Sequence, residues 1–258
     1  MDAGKAVSRQ TSLKTIPEVD TYTFGQMAAN AGSYDSTTAT KSNAYGLFLA
    51  AQEALGNANV PDAGRVALVS YGFAGLLKQD PAFMRDCDIA QNALIKGLLG
   101  EVDGCKIIRV PASRLPAGCQ FILCHPIATV APKILREFKI HTDAPGVSGW
   151  LCEGRFSYDA FVLNNKKVAL YYSGPFSVSE RNLALNQGES LDLSLVNYTG
   201  TVTAAVTKGG SSSSDVTATV SGGSVTVAAI AAATTGDYVV TLTNGSGSAT
   251  TTINVKVV

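Results

Sequence analysis

Histidine is scarce in this chain, and motifs that support enzymatic chemistry are missing. Only His125 and His141 are present, so a histidine-based catalytic triad would depend on one of these two. No G-x-S-x-G stretch supplies a serine nucleophile, and neither glycine-rich phosphate-binding pattern occurs. His125 lies between Cys124 and Pro126 at the expected end of a strand, where a packed structural histidine is the favoured interpretation. The sequence therefore predicts a protein that is not an enzyme and holds no cofactor.

The cysteines are too few and too irregularly spaced for a disulfide framework. An odd number of them favours reduced, mostly buried thiols. Three potential metal ligands lie close together at Cys119, Cys124 and His125, but their spacing matches no standard zinc pattern, so no metal is predicted. The 5 cysteines are Cys87, Cys105, Cys119, Cys124 and Cys152.

An excess of either charge is also absent. The 20 basic and 20 acidic residues cancel, which argues against a dedicated nucleic-acid-binding protein because such a protein needs a basic face. The balanced net charge does not exclude a basic patch on part of the surface. No apolar run approaches the roughly 20 residues that span a bilayer, and the start, MDAGKAVSRQ, lacks the apolar centre of a signal peptide. We therefore expect a chain that is made and kept in a cytosol, without a membrane partner.

Two extended runs joined by a Gly- and Pro-rich loop form the most informative stretch, from Pro126 to Tyr172. The runs Lys133 to His141 and Gly154 to Val162 have β-forming residues at strand spacing, and the loop lies around Asp143 to Gly149. This pattern predicts a long antiparallel pair. The second run alternates, so we expect one apolar and one mixed face, as in a half-covered sheet. The apolar set is Phe156, Tyr158, Ala160 and Val162, and the mixed set is Arg155, Ser157, Asp159 and Phe161.

The residues before this stretch show helical and strand patterns in turn. Lys5 to Asn30 has apolar residues at helical spacing, but Pro17 removes a hydrogen bond at a cost of about 3 kcal/mol. We therefore expect a kink or break there, with a second piece from near Glu18. The polar stretch Gly32 to Ser42 is expected to be a loop, and Ser42 or Asn43 to cap the next helix. Further predicted elements are helices at Ala44–Asn57 and Tyr71–Lys78, a short helix or turn at Ala90–Leu99, and strands at Val66–Ser70, Cys105–Val110 and Gln120–His125.

Composition changes abruptly after Gly174 and Pro175. From Phe176 onward the chain is mostly Ser, Thr, Val, Ala, Gly and Asn, and short β-rich runs alternate with turn signals, which is typical of a small sandwich. The segment TTGDYVVTLTN places Tyr238 just after a Gly-Asp corner. This resembles the tyrosine corner of bacterial immunoglobulin-like domains. We therefore predict one all-β immunoglobulin-like domain at residues 175–258.

Several motifs before that boundary occur in a distinctive order. They are an NVP-x-x-GR turn at 59–65, a GEVDGCKIIRVP hairpin at 100–111 and a His-Pro step at 125–126. A basic-aromatic strand, the block PGVSGWLCEGRFSYDAFVL at 145–163 and a closing Lys-rich strand then follow. In this order they resemble the major capsid protein of tailed bacteriophages.

The resemblance covers roughly residues 5 to 174 and implies an α+β capsid fold shared by tailed phages and herpesviruses. It implies a spine helix at about 5–30, a mixed α/β axial domain at about 44–125 and a long antiparallel peripheral sheet at about 126–174, together forming a domain of residues 1–174. Family members also have an N-terminal arm and an extended loop before the spine helix. Both are expected to be missing from this chain. Because these elements contact neighbouring subunits in the family, the resemblance does not decide whether this chain assembles by itself.

The function implied by the resemblance is that of a structural subunit that self-assembles into an icosahedral shell around a DNA genome. The implied partners are other copies in hexamers and pentamers, a scaffolding protein, a portal and packaged DNA on the inner face. The implied location is the virion, after assembly in the host cytoplasm. The immunoglobulin-like domain would face outward and bind host-surface or mucus glycans weakly and many times over.

Two alternatives stay open. The first is another virion structural protein, a tail-tube or decoration protein, because these also carry C-terminal immunoglobulin-like domains. The second is an enzyme with a carbohydrate-targeting sandwich. That enzyme would need paired carboxylates about 5 to 9.5 Å apart, for which the sequence offers no candidate.

Subunit contacts are expected near Asp143 to Trp150, in the loop Gly32 to Ser42, and on the strand pair. Trp150 is the best single candidate, because an aromatic side chain on a Gly/Pro loop either anchors an interface or folds back onto its own sheet. Basic residues on the strand pair could contact subunits or DNA, and solvated strand edges are a nearly equal interpretation. These basic residues are Arg136, Lys139, Arg155, Lys166 and Lys167.

Overall fold

The structure, a computed structural model, describes residues 3–80, 83, 98–102, 104–141, 146, 151–245 and 249–258. For residues 98–100 and 133–138 it describes the backbone. The predicted helix or turn at Ala90–Leu99 lies outside the described residues except at its end. Leu98 and Leu99 belong to a strand, in which Leu98 pairs with Ile108 of the next strand in sequence, so the prediction is wrong there.

The first helical run continues through Pro17 without a break. It consists of α1 (Ala3–Gln10), a π-helical turn (Thr11–Thr15) and α2 (Ile16–Ala29). The irregularity is therefore the π-helical turn before the proline, and the second helical piece begins at Ile16, two residues before the start expected near Glu18. Pro17 lies in the first turn of α2, where its missing N–H is tolerated, and its ring crowds the carbonyl four residues earlier, which accounts for the widened turn.

Two further helices agree closely with their predicted ranges. The helix α3 spans Ala44–Asn57 and α4 spans Tyr71–Gln79. Ser70 caps α4, because its Oγ accepts a hydrogen bond from the Phe73 N–H at 3.2 Å. Asn43 precedes α3 but makes no side-chain cap bond; its Oδ1 accepts from the N–H three residues earlier. Asn43 is therefore the N-cap residue, one of the two predicted positions, but its side chain does not cap the helix.

A six-stranded mixed sheet forms the centre of the first region. In spatial order its strands are β1 (Ser33–Asp35), β10 (Leu170–Ser173), β5 (Phe121–Cys124), β2 (Val66–Ser70), β4 (Cys105–Val110) and β3 (Leu98–Val102). Two predictions are wrong in this sheet. The predicted loop at 32–42 contains β1, and β10, expected in the peripheral sheet, pairs with β5 in this central sheet. All four residues of β10 are buried, and burial on both faces is typical of an interior strand.

Two separate two-stranded ribbons follow β5 in sequence. They are β6 (Thr129–Val130) with β9 (Phe161–Val162), and β7 (Lys133–His141) with β8 (Leu151–Tyr158). The predicted antiparallel pair is confirmed, but the expected single run Gly154 to Val162 is two strands. The break lies at Asp159, whose Oδ1 accepts hydrogen bonds from the Ala160 N–H (2.7 Å) and the Tyr22 hydroxyl (3.0 Å). A side chain that binds its neighbouring N–H competes with the strand ladder.

The last third of the chain is a two-sheet β-sandwich. One sheet is β11 (Ser177–Val178), β13 (Ser190–Val196), β17 (Ser224–Ala229) and β16 (Val216–Ser221). The other is β12 (Asn182–Leu185), β19 (Ala249–Val257), β18 (Gly236–Asn244), β14 (Val202–Lys208) and β15 (Ser211–Ser212). This strand order is that of an immunoglobulin-type sandwich whose first strand is divided between the two sheets.

Tyr238 forms the tyrosine corner that its sequence position predicts. The side chain is buried at the start of β18, and its hydroxyl lies within hydrogen-bond distance of the Thr234 carbonyl oxygen and of Asp215 Oδ2 (2.9 Å). Lys208 Nζ donates to the same hydroxyl at 3.0 Å and lies 4.6 Å from the ring centroid. One side chain therefore ties together three segments of the sandwich.

The apolar core divides into two clusters that meet at a close junction. The first contains residues from Met27 to Tyr172 together with Val196 of β13, and the second begins at Phe176. A Cβ on Gly25 would lie only 2.6 Å from the Ser179 carbonyl oxygen, so α2 approaches the sandwich backbone more closely than any other residue type would allow.

Candidate subunit-contact surfaces

The β7–β8 ribbon has two chemically different faces. The register pairs Ile140 with Cys152 and His141 with Leu151, so even-numbered and odd-numbered residues of β8 lie on opposite faces. Cys152, Gly154, Phe156 and Tyr158 share the face of Ile140, so the β8 residues of this face are apolar or small, while the register sets Arg136 of β7 opposite Phe156. The predicted division into an apolar and a mixed face is therefore confirmed for β8.

The described residues cover this apolar face at its root, near α2. Tyr158 packs edge-to-face on Tyr22 of α2, with ring centroids 5.6 Å apart, and donates a hydrogen bond to Glu18 at 3.0 Å. Burial, helped by this bond to Glu18, raises the pKa of Tyr158 to about 12. At the tip, Ile140 is 48% exposed and Cys152 is exposed as well. The expected half-covered sheet is thus a ribbon whose outer end is exposed at Ile140 and Cys152.

The opposite face carries balanced charges. Lys139 lies opposite Glu153 and Arg155 opposite Glu137, and His141 Nε2 lies 3.2 Å from Glu153 Oε2. Opposite charges across a strand pair stabilise the pair modestly and neutralise each other. Two of the predicted basic residues, Lys139 and Arg155, therefore have acidic counterparts, whereas Arg136 lies opposite Phe156. This pairing weakens the idea of a basic face for DNA.

A second uncovered surface lies at the root of the ribbon, on β6, β9 and the two short turns beside them. We call it the β6–β9 patch. Its five apolar side chains are 41% to 54% exposed, and they are Ile127, Val130, Phe161, Leu163 and Val168.

The β6–β9 patch is built on a fixed backbone. Val130 pairs with Phe161 across the ribbon, whereas Val162 turns inward against the first core cluster. Leu163 donates its N–H to the Ala128 carbonyl at 2.9 Å, which extends the pairing. Val162 therefore faces the core, whereas Val130 and Phe161 lie on the outward face of the ribbon and make it apolar.

His125 fixes the turn that presents Ile127 in this patch. Its Nδ1 accepts a hydrogen bond from the Ile127 N–H, and its Nε2 lies 3.2 Å from the Ala63 carbonyl oxygen. These partners require the neutral imidazole with the proton on Nε2. Both ring nitrogens are therefore engaged with backbone groups, as expected for a structural histidine.

A cleft of about 570 Å³ lies between α2, residues 112–117 and the sandwich. Glu18 and Glu180 both line it, and burial, together with the nearby Glu18 charge, raises the pKa of Glu180. Arg181 also lines the cleft but donates to the Thr252 carbonyl and hydroxyl oxygens. None of the described residues that line it is a histidine or a cysteine.

Among the described residues, no group of three or more His, Cys, Asp or Glu side chains could hold a metal ion. Burial raises the pKa of the Cys105 and Cys124 thiols to about 12 and also raises that of Cys119. Of the described cysteines these three are buried and Cys152 is exposed, which agrees with the prediction of mostly buried thiols, while Cys87 lies outside the described residues. In the part of the chain that is described, no helix is both long and apolar enough to cross a membrane.

The structure brings together only part of the predicted contact set. Lys139 and Arg155 are exposed and lie on the charged face of the ribbon. The backbone of Arg136 is in β7, but its side chain and the whole of Trp150 lie outside the described residues. Sequence reasoning missed the β6–β9 patch. The signal was Phe161, a large aromatic residue assigned to the mixed face of a strand.

No protein-family model matches this chain, and neither does any curated protein. Among solved structures, a chain from Mycobacterium phage Che8 is similar over 66% of this chain and 62% of its own length, with 19% identity and a TM-score of 0.53. A chain from the capsid structure of cyanophage P-SCSP1u is 15% identical over 67% of this chain and 66% of its own length, with a TM-score of 0.48. The M1 domain of titin is 14% identical over 33% of this chain and 94% of its own length, with a TM-score of 0.26. The first of these similarities shows a fold shared with a phage protein, of which this chain spans less than two thirds.

Proposed function

We propose that this chain is a structural subunit of a tailed-phage virion, and specifically that copies of it form the icosahedral shell that encloses the DNA genome. The observation that carries the proposal is the fold shared with the Mycobacterium phage Che8 chain over 66% of this chain. The motif order of residues 59–163, which resembles major capsid proteins, supports the same assignment. Assembly would take place in the host cytoplasm, and the role is structural and not enzymatic.

The uncovered surfaces are consistent with a subunit that has neighbours on several sides. An isolated two-stranded ribbon is marginally stable in water, and clustered exposed apolar side chains usually mark an interaction site. In a closed shell, hexamers and pentamers place identical copies in similar environments, so many modest contacts act together. Trp150, Arg136, Lys139 and Arg155 remain our proposed contact residues on the ribbon and its loop.

The immunoglobulin-like sandwich would lie on the outer surface and bind host-surface or mucus glycans. Repeated weak contacts from many copies would supply the affinity. Because Gly25 allows the sandwich backbone to pack directly on α2, the sandwich would be held in one orientation on each subunit. A scaffolding protein, a portal and packaged DNA are the further partners of the proposed shell.

Electron microscopy of the purified chain, alone and with the scaffolding protein of its phage, tests the proposal. Closed shells, or rings of five and six copies with the matching mass in multi-angle light scattering, are the expected products. The shell function would be contradicted if the chain, both as it stands and with an N-terminal arm and extended loop added, stays monomeric at high concentration with scaffolding protein present.

The alternative is another virion structural protein, a tail-tube or decoration protein. The long first helical run and the central six-stranded sheet with its helices argue against a tube protein, which lacks such a portion. In the same micrographs, uniform tubes would indicate a tube protein. Monomers that bind only to preformed shells would indicate a decoration protein.

A further inference from the structure

The apolar tip of the β7–β8 ribbon and the β6–β9 patch cannot cover each other within one chain. The patch lies at the root of the ribbon, and Ile140 and Cys152 lie near its far end. At about 3.3 Å per residue, the seven steps from Leu151 to Tyr158 place the tip roughly 20 Å from the patch. A hydrogen-bonded ribbon does not fold back over that distance.

The β6–β9 patch is large enough to be functional but too small to form a stable interface alone. Five side chains exposed by 41% to 54% present roughly 400 Å² of apolar area, which is the size at which surface patches are usually functional. A stable protein interface buries about 800 Å² on each partner. The patch therefore supplies about half of one side of an interface, so its contact with an apolar partner is one of several that hold two copies together.

We infer that the apolar ribbon tip of one copy, at Ile140 and Cys152, packs on the β6–β9 patch of the next copy. The contact is head-to-tail, since the two surfaces are different, and head-to-tail contacts generate rings or open chains. It rests on the proposed function, which brings copies of the chain together at high local concentration. In the assembled state the ribbon gains the cover that a two-stranded ribbon lacks in water.

Cross-linking from Cys152 tests the contact directly. A benzophenone maleimide is attached to the exposed Cys152 thiol in a Cys87→Ser background, and ¹⁵N-labelled and unlabelled copies are mixed before irradiation. Mass spectrometry should find mixed-isotope cross-links to the peptides that carry Val130 and Phe161. Cross-links confined to other peptides, or confined to one copy, would overturn the inference.

Substitution at the patch provides the second arm. Phe161→Asp should raise the concentration needed for assembly at least tenfold, as measured by mass photometry, while the melting temperature changes little because the side chain is 54% exposed. Leu191→Asp on the sandwich is the matched control, because Leu191 is also a strand residue and is 41% exposed. It should assemble like the unsubstituted chain. Equal assembly of Phe161→Asp and the control would refute the contact.

The two proposals fail separately. If unsubstituted copies form shells and Phe161→Asp forms them equally well, the contact is wrong and the shell function stands. If copies never form shells but the Cys152 cross-link still reaches the patch of a second copy, the contact stands and the shell function falls.

Discussion

The sandwich and the β7–β8 ribbon use the same two-residue alternation, but only the sandwich covers its apolar face. Along β17, buried residues alternate with half-buried ones, because the second sheet packs on that face. Along β8 the first five residues are all exposed, although the even-numbered positions are apolar or small. Alternation therefore predicts which face of a strand is apolar, but whether this chain itself covers that face depends on a partner elsewhere in the fold.

The same substitution in the two regions should have very different effects on stability. Leu242→Ala removes a fully buried side chain from the sandwich core and should lower the free energy of unfolding by about 2–5 kcal/mol. Leu151→Ala in the ribbon, where the side chain is 42% exposed, should change it by less than about 0.5 kcal/mol. Urea unfolding followed by circular dichroism measures both. Similar losses in the isolated chain would mean that the ribbon is covered within one copy.

The junction between the regions gives a second comparison, between a glycine in close contact and one in open space. Gly25→Ala places a Cβ 2.6 Å from the Ser179 carbonyl oxygen, so α2 and the sandwich must separate at a cost of about 1–3 kcal/mol. Gly46→Ala in α3 meets no atom within 4 Å and should stabilise the chain by about 0.4–1 kcal/mol. Differential scanning calorimetry should show melting temperatures shifted in opposite directions. A neutral Gly25→Ala would indicate that the junction is loose in solution.

At the tyrosine corner, the contribution of one hydroxyl group to the stability of the sandwich can be measured. Tyr238→Phe leaves the ring in place but removes the partner of Thr234, Asp215 and Lys208, which should cost about 1–3 kcal/mol. Tyr71→Phe is the control, since Tyr71 is 57% exposed and its ring contact with Arg109 is kept. Denaturant titration of the two variants should separate them. Equal stabilities would show that ring burial alone holds the corner.

Sequence reasoning predicted the local elements well and the sheet partners less well. Strands such as Val66–Ser70, Cys105–Val110 and Lys133–His141 have the predicted bounds, because each is set by neighbouring residues and a following turn. The partner of Leu170–Ser173 was misassigned, because pairing with β5 is a long-range choice that adjacent residues do not encode.

The contact surfaces were harder to predict for the same reason. Charge alone suggested a basic strand pair, whereas the register sets Arg155 opposite Glu137 and Lys139 opposite Glu153. The β6–β9 patch depends on Val162 turning inward to the core, and that direction follows from packing and not from the spacing of apolar residues. Which apolar residues face outward therefore depends on the packing of the core.

The smallest expected effect is a pH dependence that belongs to the sandwich. Asp215 Oδ2 accepts hydrogen bonds from the Thr234 hydroxyl, the Tyr238 hydroxyl and the Thr234 N–H, and these bonds lower its pKa below the usual 3.8. A carboxyl whose pKa is lower in the folded state stabilises the fold above its unfolded pKa, and this contribution disappears as the pH falls through the folded pKa. Asp215→Asn should therefore be less stable than the unsubstituted chain at pH 7, and the difference should shrink steadily below pH 3.8. Thermal melts of both proteins across that range measure the difference, with Asp192→Asn on β13 as a control on another strand of the sandwich. A gap that stays constant from neutral to acid pH would show that Asp215 acts through shape and not through its charge.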